Sequence, residues 1–282
     1  MQRHSGWTFG ENNPWVATTN KRSNGKRGIF LAVGLANQKY ELNKQEFTDA
    51  ICMRYGWKVK GMPTHCACGE TNSLDHSLIC KLGSYTSMRH NSVRESEAQL
   101  MREVFSDVQT EPTLLPINEN DYQRKLNTAD KTRLDISSRG LWTSCEKTFF
   151  DIRITHPTSQ SYSGKSRAEV YQQHEKEKKD KYNQGVIDIE KSSFNPLVFT
   201  TTGGMAPECN RVNKRLAEKI AVKRREPYDY ASVITYIRTK LRFALLRSTL
   251  AAIRGFRGKQ SDVHLQDLTD IDFRLFPRPT VT

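Results

Sequence analysis

The sequence predicts an α/β domain with a small mixed sheet flanked by helices, preceded by a small helical segment and a Cys/His cluster. Three observations support this prediction. Alternating apolar and polar residues mark strands in the second half of the chain, and apolar stripes at helical spacing separate them. Three of the six cysteines fall within fifteen residues. The chain of 282 residues is long enough for one sizeable domain and a smaller one.

Changes in composition along the chain define five segments. In order, we predict a polar, poorly ordered segment 1–37, a helical segment 38–60, the Cys/His segment 61–88, the α/β domain 89–255 and a basic, proline-containing tail 256–282. No internal repeat or low-complexity tract interrupts this order.

Helices are predicted where apolar residues recur every three or four positions. They cover 38–57, 92–108, 166–183, 207–225 and 232–254. Ser92 is expected to cap the second of these helices, with Glu95 completing a capping box. Pro207 suits the first position of the fourth helix.

Three strands are predicted between these helices. The first is short and contains Leu134 and Ile136, the second covers 147–155 with strand-like alternation, and the third covers 194–202. Residues 112–132 are polar and predict a loop. The resulting order of helix, strand, strand, helix, strand, helix, helix is typical of a small mixed sheet between helices.

The chain is strongly basic, with 44 Lys and Arg against 31 Asp and Glu and a net charge of +13. Such a surplus favours a polyanionic partner, because phosphate contacts release condensed counterions. We therefore expect DNA as the partner, with RNA as an open alternative; a merely soluble basic protein is the plain alternative. No run of 18 apolar residues and no secretory signal is present, so we expect no membrane span and an intracellular protein.

Four residues of the Cys/His segment have the spacing of metal ligands. They are Cys66, Cys68, His76 and Cys80. Three thiolates and one imidazole make a closed tetrahedral zinc site of structural type, which leaves no position for a catalytic water. His65 is an alternative ligand, and small buried cysteines with an incidental histidine are the alternative interpretation.

Two aspartates are candidate ligands of a catalytic Mg²⁺. Asp135 ends the short strand, and Asp151 lies in the middle of the next strand with Phe150 and Ile152 beside it. A carboxylate among apolar residues needs a partner, and a divalent cation suits two such groups. An ion held there activates water and neutralises charge on a phosphate. Ordinary alternatives are a turn cap for Asp135 and an ion pair of Asp151 with Arg133 or Arg153.

Three further residues complete the predicted catalytic set. Glu97 is the acid on the otherwise apolar stripe of helix 92–108 and is a candidate outer ligand or water-orienting base, unless it only forms a salt bridge. Arg153 lies two positions after Asp151 on the same strand face and can hold the scissile phosphate. Lys178, on the stripe of the next helix that also contains Tyr171 and Tyr182, can take this role instead.

The order of these motifs resembles the C-terminal part of non-LTR retrotransposon proteins that carry a restriction-like endonuclease. The matching residues run from the Cys/His cluster through Arg89-His90-Asn91 and Arg133-x-Asp135 to Asp151. The resemblance covers residues 40–255 and implies a CCHC zinc knuckle followed by a PD-(D/E)XK endonuclease fold. Leu134 stands in place of the motif's proline, and Arg153 in place of its lysine.

The resemblance implies a DNA-nicking endonuclease of retroelement origin that uses Mg²⁺, located in the nucleus. It implies that segment 38–60 follows a polymerase thumb and that a reverse transcriptase domain absent from this chain is a partner. The chain is then a fragment, a degenerate copy or a domesticated remnant. The alternative is an inactive nucleic-acid-binding remnant with the same fold and zinc site. Basic and polar residues expected to contact nucleic acid are Arg89, His90, Arg133, Arg238, Arg242, Arg254 and Arg257.

Overall fold

The computed structural model describes residues 42–114, 133–224 and 230–255, which belong to two compact units. The first unit contains the chain up to Tyr85 and from Leu250 onward, and the second is Thr86–Thr249. The predicted segment 1–37, most of the predicted loop and the tail 256–282 lie outside the described residues.

Two helices open the first unit. Helix α1, Lys44–Tyr55, begins with a capping box between Asn43 and Glu46 and ends at Gly56, whose φ of 66° is the left-handed conformation that favours glycine. Helix α2, Leu74–Ile79, is capped by the Ser73 side chain. Asp49 of α1 is buried, and its two carboxylate oxygens accept hydrogen bonds of 2.6 Å from Nε and Nη2 of Arg254. This ion pair anchors α1.

The second unit contains the sheet and the longer helices. The helices are α3 (Tyr85–Arg102), α4 (Arg167–Asp188), α5 (Pro207–Arg224) and α6 (Tyr230–Arg254), the first and last of which extend into the first unit. The strands are β1 (Val108–Thr110), β2 (Ile136–Arg139), β3 (Lys147–Thr155) and β4 (Ser193–Thr200). A short 3₁₀ helix, Gln160–Tyr162, follows β3.

The four strands form one mixed sheet in the order β1-β2-β3-β4. Strand β2 is antiparallel to both β1 and β3, whereas β4 runs parallel to β3 with Pro196 opposite Asp151. The parallel pair requires a crossover, which α4 provides. The predicted α/β class with a small mixed sheet and helices is therefore confirmed.

Alternation along the strands gives the sheet two different buried faces. Phe150 and Ile152 pack with β4 residues Leu197 and Phe199 against the apolar stripes of α3, α5 and α6. On the other face Phe149 and Phe194 pack against α4 through Tyr182 and Val186, and Val198 packs against Tyr171. Because successive side chains of a strand point to opposite faces, Asp151 lies on the α4 face.

The structure corrects the predicted start of the helix that precedes the sheet. Helix α3 begins at Tyr85, not after Ser92, so Ser92 is an interior residue and the capping box with Glu95 does not form. No proline or glycine interrupts the chain between Tyr85 and Ser92, and the helix therefore extends through a residue that often begins one. It ends at Arg102, and β1 occupies positions whose three residues show no strand pattern.

Candidate active site and metal centre

Two carboxylates meet on neighbouring central strands. Asp151 lies in the middle of β3, and Asp135 immediately precedes β2. The Ile152 N–H donates a hydrogen bond of 2.6 Å to Oδ2 of Asp135, which fixes this carboxylate against the backbone next to Asp151. The structure thus brings together the two acids that the sequence singled out.

The Asp151 carboxyl is in a poorly solvated position near another acid. Burial, the largest influence, raises its pKa; the charge of Lys178 opposes this rise, and the nearby Asp135 adds to it. The balance is a pKa above the ordinary value for aspartate. Only 8% of the side chain is exposed, so a cation is needed to keep this group ionised.

His90, which the sequence assigned to nucleic-acid contact, instead lies against the acid pair. Its Nε2 is 3.2 Å from Oδ2 of Asp135 and 3.3 Å from the carbonyl oxygen of Ile152. Burial lowers the pKa of His90, but the bond to Asp135 and its charge outweigh burial and raise it. The Arg89-His90-Asn91 signal was visible in the sequence, but only the position of α3 on the sheet shows which group His90 contacts.

Helix α4 supplies the cation that contacts Asp151. A capping box between Ser166 and Glu169 begins the helix. The stripe that faces the sheet contains buried Tyr171 and Tyr182, and Lys178 lies on it between them. The Lys178 ammonium forms an ion pair with Oδ2 of Asp151.

Arg153, the other candidate cation, is exposed one strand repeat beyond Asp151. Its charge acts on His174 and Glu177 of α4, where it lowers the pKa of both groups. Lys178 is therefore the cation that contacts the acid pair, and Arg153 lies beside it at the surface.

Glu97 is buried on its apolar stripe as predicted, but on the opposite face of the sheet from Asp151. Its Oε1 accepts a hydrogen bond of 3.1 Å from Nδ2 of Asn213, within the core formed by α3 and α5. Burial raises the pKa of Glu97 to about 7, despite this bond and the charge of Lys240. Helical spacing showed that Glu97 is buried but not which sheet face receives it, and the structure does not bring Glu97 to the acid pair.

Two of the arginines expected at a nucleic-acid surface are occupied elsewhere. Arg89 is 3% exposed, and burial lowers the pKa of its guanidinium to about 10. Arg254 is held by the buried Asp49 carboxylate. Arg133, by contrast, is exposed and lies 3.6 Å from Glu111, and Arg257 lies outside the described residues.

The arginine pair of α6 does not lie opposite the apolar stripe. Arg238 follows Ile234 by four positions and precedes Leu241 by three, which places it beside the stripe at half-buried depth. Arg242 is also half-buried, and its Nε donates a hydrogen bond of 3.3 Å to the carbonyl of Gly203. Burial and the charge of Arg238 lower its pKa. The Arg242 side chain thus holds the loop between β4 and α5.

The four predicted zinc ligands converge in the first unit. The ligand atoms of Cys66, Cys68, His76 and Cys80 all lie within 4.8 Å of one another. Gly69 has a φ of 95°, and its N–H donates to the carbonyl of Cys66, which makes the turn after Cys68. Helix α2 then presents His76 and ends at Cys80. This Cys₃His cluster can bind a metal such as zinc.

The surroundings of the cluster favour a thiolate at Cys66, whereas burial raises the pKa of Cys80. Burial raises the pKa of the Cys66 thiol, but the Cys68 backbone and the side chains of His76, Cys68 and Cys80 hold it at about 6 through hydrogen bonds. His65, the alternative ligand, instead contacts the Thr64 hydroxyl at 3.1 Å and forms a backbone bridge with Thr71. The cluster that could hold a metal therefore contains Cys66, Cys68, His76 and Cys80, and not His65.

Comparison of the chain with models of known protein families and with curated proteins finds no match. Within the described ranges, no helix combines the length and the apolar character needed to cross a membrane.

Proposed function

We propose that this chain is a metal-dependent DNA endonuclease with a restriction-like fold, derived from a retroelement protein and acting in the nucleus. The observation that carries the proposal is the pairing of Asp135 and Asp151 on neighbouring strands, with Lys178 in contact with Asp151. Two acids and one adjacent cation suit phosphodiester hydrolysis, and the net charge of +13 suits a phosphate substrate.

The donor set fits a hard divalent cation. Asp135, Asp151 and the main-chain carbonyl of Ile152 offer oxygen ligands, which are the ligands Mg²⁺ takes in proteins. Burial chiefly raises the pKa of Asp151, and a divalent cation would favour its ionised form. When bound, Mg²⁺ supplies an acidified water and charge neutralisation at the phosphate.

The side chains of the chain itself take the remaining roles. Lys178 holds a phosphate oxygen and stabilises the charge that develops there. It takes the role of the lysine in the motif of the resembling family, a position that Arg153 occupies in this chain. His90 orients the Asp135 carboxylate through its Nε2–H. The Ile152 N–H donates to the same oxygen, Oδ2 of Asp135, and holds it against the backbone next to Asp151.

The Cys₃His cluster supports the retroelement origin, because it precedes the acid pair in the order of the resembling family. In this proposal it is a zinc knuckle that helps to hold nucleic acid, and a reverse transcriptase domain is the partner that uses the nick. The net charge of +13 supports DNA as the substrate, with RNA as the alternative.

One observation favours the second candidate, an inactive nucleic-acid-binding remnant. His90 and Lys178 already neutralise the acid pair, and both must yield before a divalent ion can use the same oxygens. Arg153, which stands where the motif of the resembling family has lysine, also favours an inactive protein, since a guanidinium stays protonated and cannot act as a base.

Nicking of supercoiled plasmid with Mg²⁺ tests the two candidates. Asp151→Asn should abolish nicking and leave DNA affinity nearly unchanged, because it removes a metal ligand and not the basic surface. Asp180→Asn, which changes an exposed acid of α4, is the matched control and should nick normally. A wild-type protein that binds DNA but never nicks it selects the remnant, and nicking that survives Asp151→Asn refutes the proposed site.

A further inference from the structure

An aromatic pair at the end of α1 is exposed although its residues are large and apolar. Tyr55 is 51% exposed and Trp57 is 61% exposed. Their rings stack with centroids 5.1 Å apart and an angle of 25° between the ring planes. Exposed aromatic rings that are already ordered as a stack offer area for binding at low cost in side-chain entropy.

The backbone fixes this arrangement. Gly56 is in the left-handed conformation, and the Trp57 N–H donates a hydrogen bond of 2.8 Å to the carbonyl of Cys52. This bond ends α1 and turns the chain so that residue 57 returns toward the last helical turn. Trp57 therefore reaches the ring of Tyr55 through main-chain geometry.

Positive charge surrounds the stacked rings. The Arg54 guanidinium lies over the Tyr55 ring, 6.0 Å from its centroid. Lys58 and Lys60 follow at once and are exposed, whereas Val59 between them is buried. Residues 54–60 contain three basic residues and no acid.

We infer that Arg54, Tyr55, Trp57, Lys58 and Lys60, here called the Tyr55–Trp57 surface, bind single-stranded nucleic acid by base stacking. Every base has an aromatic face, and a base in a single strand is free to stack on Trp57 while its phosphates meet the lysines. Bases of a duplex are already stacked and leave only phosphates for this surface. The surface belongs to the first unit and does not depend on the acid pair of the second.

Titration of an oligothymidylate and an oligouridylate tests this inference. The full-length protein carrying Asp151→Asn is used without added Mg²⁺, so that cleavage plays no part. Trp57→Ala should lower the affinity for both strands by about 5- to 150-fold, the range that loss of one stacked base gives, and Trp57→Phe should restore part of it. Affinity for a duplex of equal length should change less than twofold.

Two controls distinguish base stacking from nonspecific hydrophobic binding and from phosphate binding by the lysines. Phe47→Ala removes another exposed aromatic ring of α1 for which the described residues show no stacked partner, and should leave affinity unchanged. Replacing Lys58 and Lys60 by alanine should reduce the slope of log affinity against log salt by about 1.4, or about 0.7 per lost phosphate contact.

These experiments test nucleic-acid binding by the Tyr55–Trp57 surface independently of the result for nicking. Equal losses for Phe47→Ala and Trp57→Ala, or an unchanged affinity in Trp57→Ala, overturn the inference. Wild-type and Trp57→Phe proteins whose tryptophan fluorescence responds equally to the oligonucleotides also overturn it. Unchanged helix content and metal content in the variants show that the first unit remains folded.

Discussion

The buried carboxyl of Glu97 should make the stability of the protein depend on pH. Burial raises its pKa from 4.5 to about 7 in the folded protein, whereas the unfolded chain keeps the ordinary value. Below pH 4.5 the group is protonated in both states, so stability is fully present there. As pH rises toward 7, the unfolded state releases the proton first, and the free energy of unfolding falls by about 1.4 kcal/mol per pH unit.

Glu97→Gln should remove this dependence. The amide stays neutral and can still accept the hydrogen bond from Asn213, and its nitrogen replaces a carboxyl oxygen that has no hydrogen-bond partner within the described residues. At pH 8 the variant should be more stable than wild type by roughly 3 kcal/mol, the full cost of ionising a carboxyl with this shift. Near pH 4.5 the two proteins should have nearly equal stability.

Urea unfolding of both proteins at several values between pH 4.5 and 8 measures this difference. Taking the difference cancels the titration of the other acids. Glu95→Gln, which changes an exposed carboxylate of the same helix, should show no comparable crossover with pH. A stability difference between Glu97→Gln and wild type that stays constant across this range would refute the proposed neutral state of Glu97.

Three further predictions concern the other charged and metal-binding groups. Purified protein should contain about one equivalent of zinc, and Cys80→Ser should lose it; a folded wild-type protein without metal contradicts this. Lys178→Ala should lower Mg²⁺-dependent nicking about 100- to 1,000-fold and Arg153→Ala far less, measured on supercoiled plasmid; equal effects would return the catalytic role to Arg153. Arg254→Leu should lower the free energy of unfolding by roughly 3 kcal/mol, because Asp49 is left buried without its cation; an unchanged urea midpoint would refute this pairing.

The regular elements were largely predictable because their signals are local. The strand-like pattern of residues 147–155 gave both ends of β3, and Pro207 marked the first residue of α5. Strand β1 has only three residues, too few for alternation to show, and it exists because β2 pairs with it. The start of α3 was missed because a serine inside a helix resembles a serine before one.

The site was predictable only as far as local polarity shows it. Asp135 and Asp151 stood out as acids among apolar residues, and Lys178 stood out on a stripe between two tyrosines. The sequence could not show how α3 lies on the sheet, and this decided which groups His90 and Glu97, both on that helix, contact. His90 contacts the acid pair, whereas Glu97 lies on the sheet face opposite Asp151.

The outer edge of β4 limits how this protein can associate with itself. Residues after the strand fold back on it, with bonds from the Ala206 N–H to the Val198 carbonyl and from the Thr200 N–H to the Gly204 carbonyl. Pro196, further back in the strand, has no N–H to offer another chain. The opposite edge, β1, has only three residues. Neither edge is a good template for a strand from another molecule, so the sheet should resist edge-to-edge aggregation at high protein concentration.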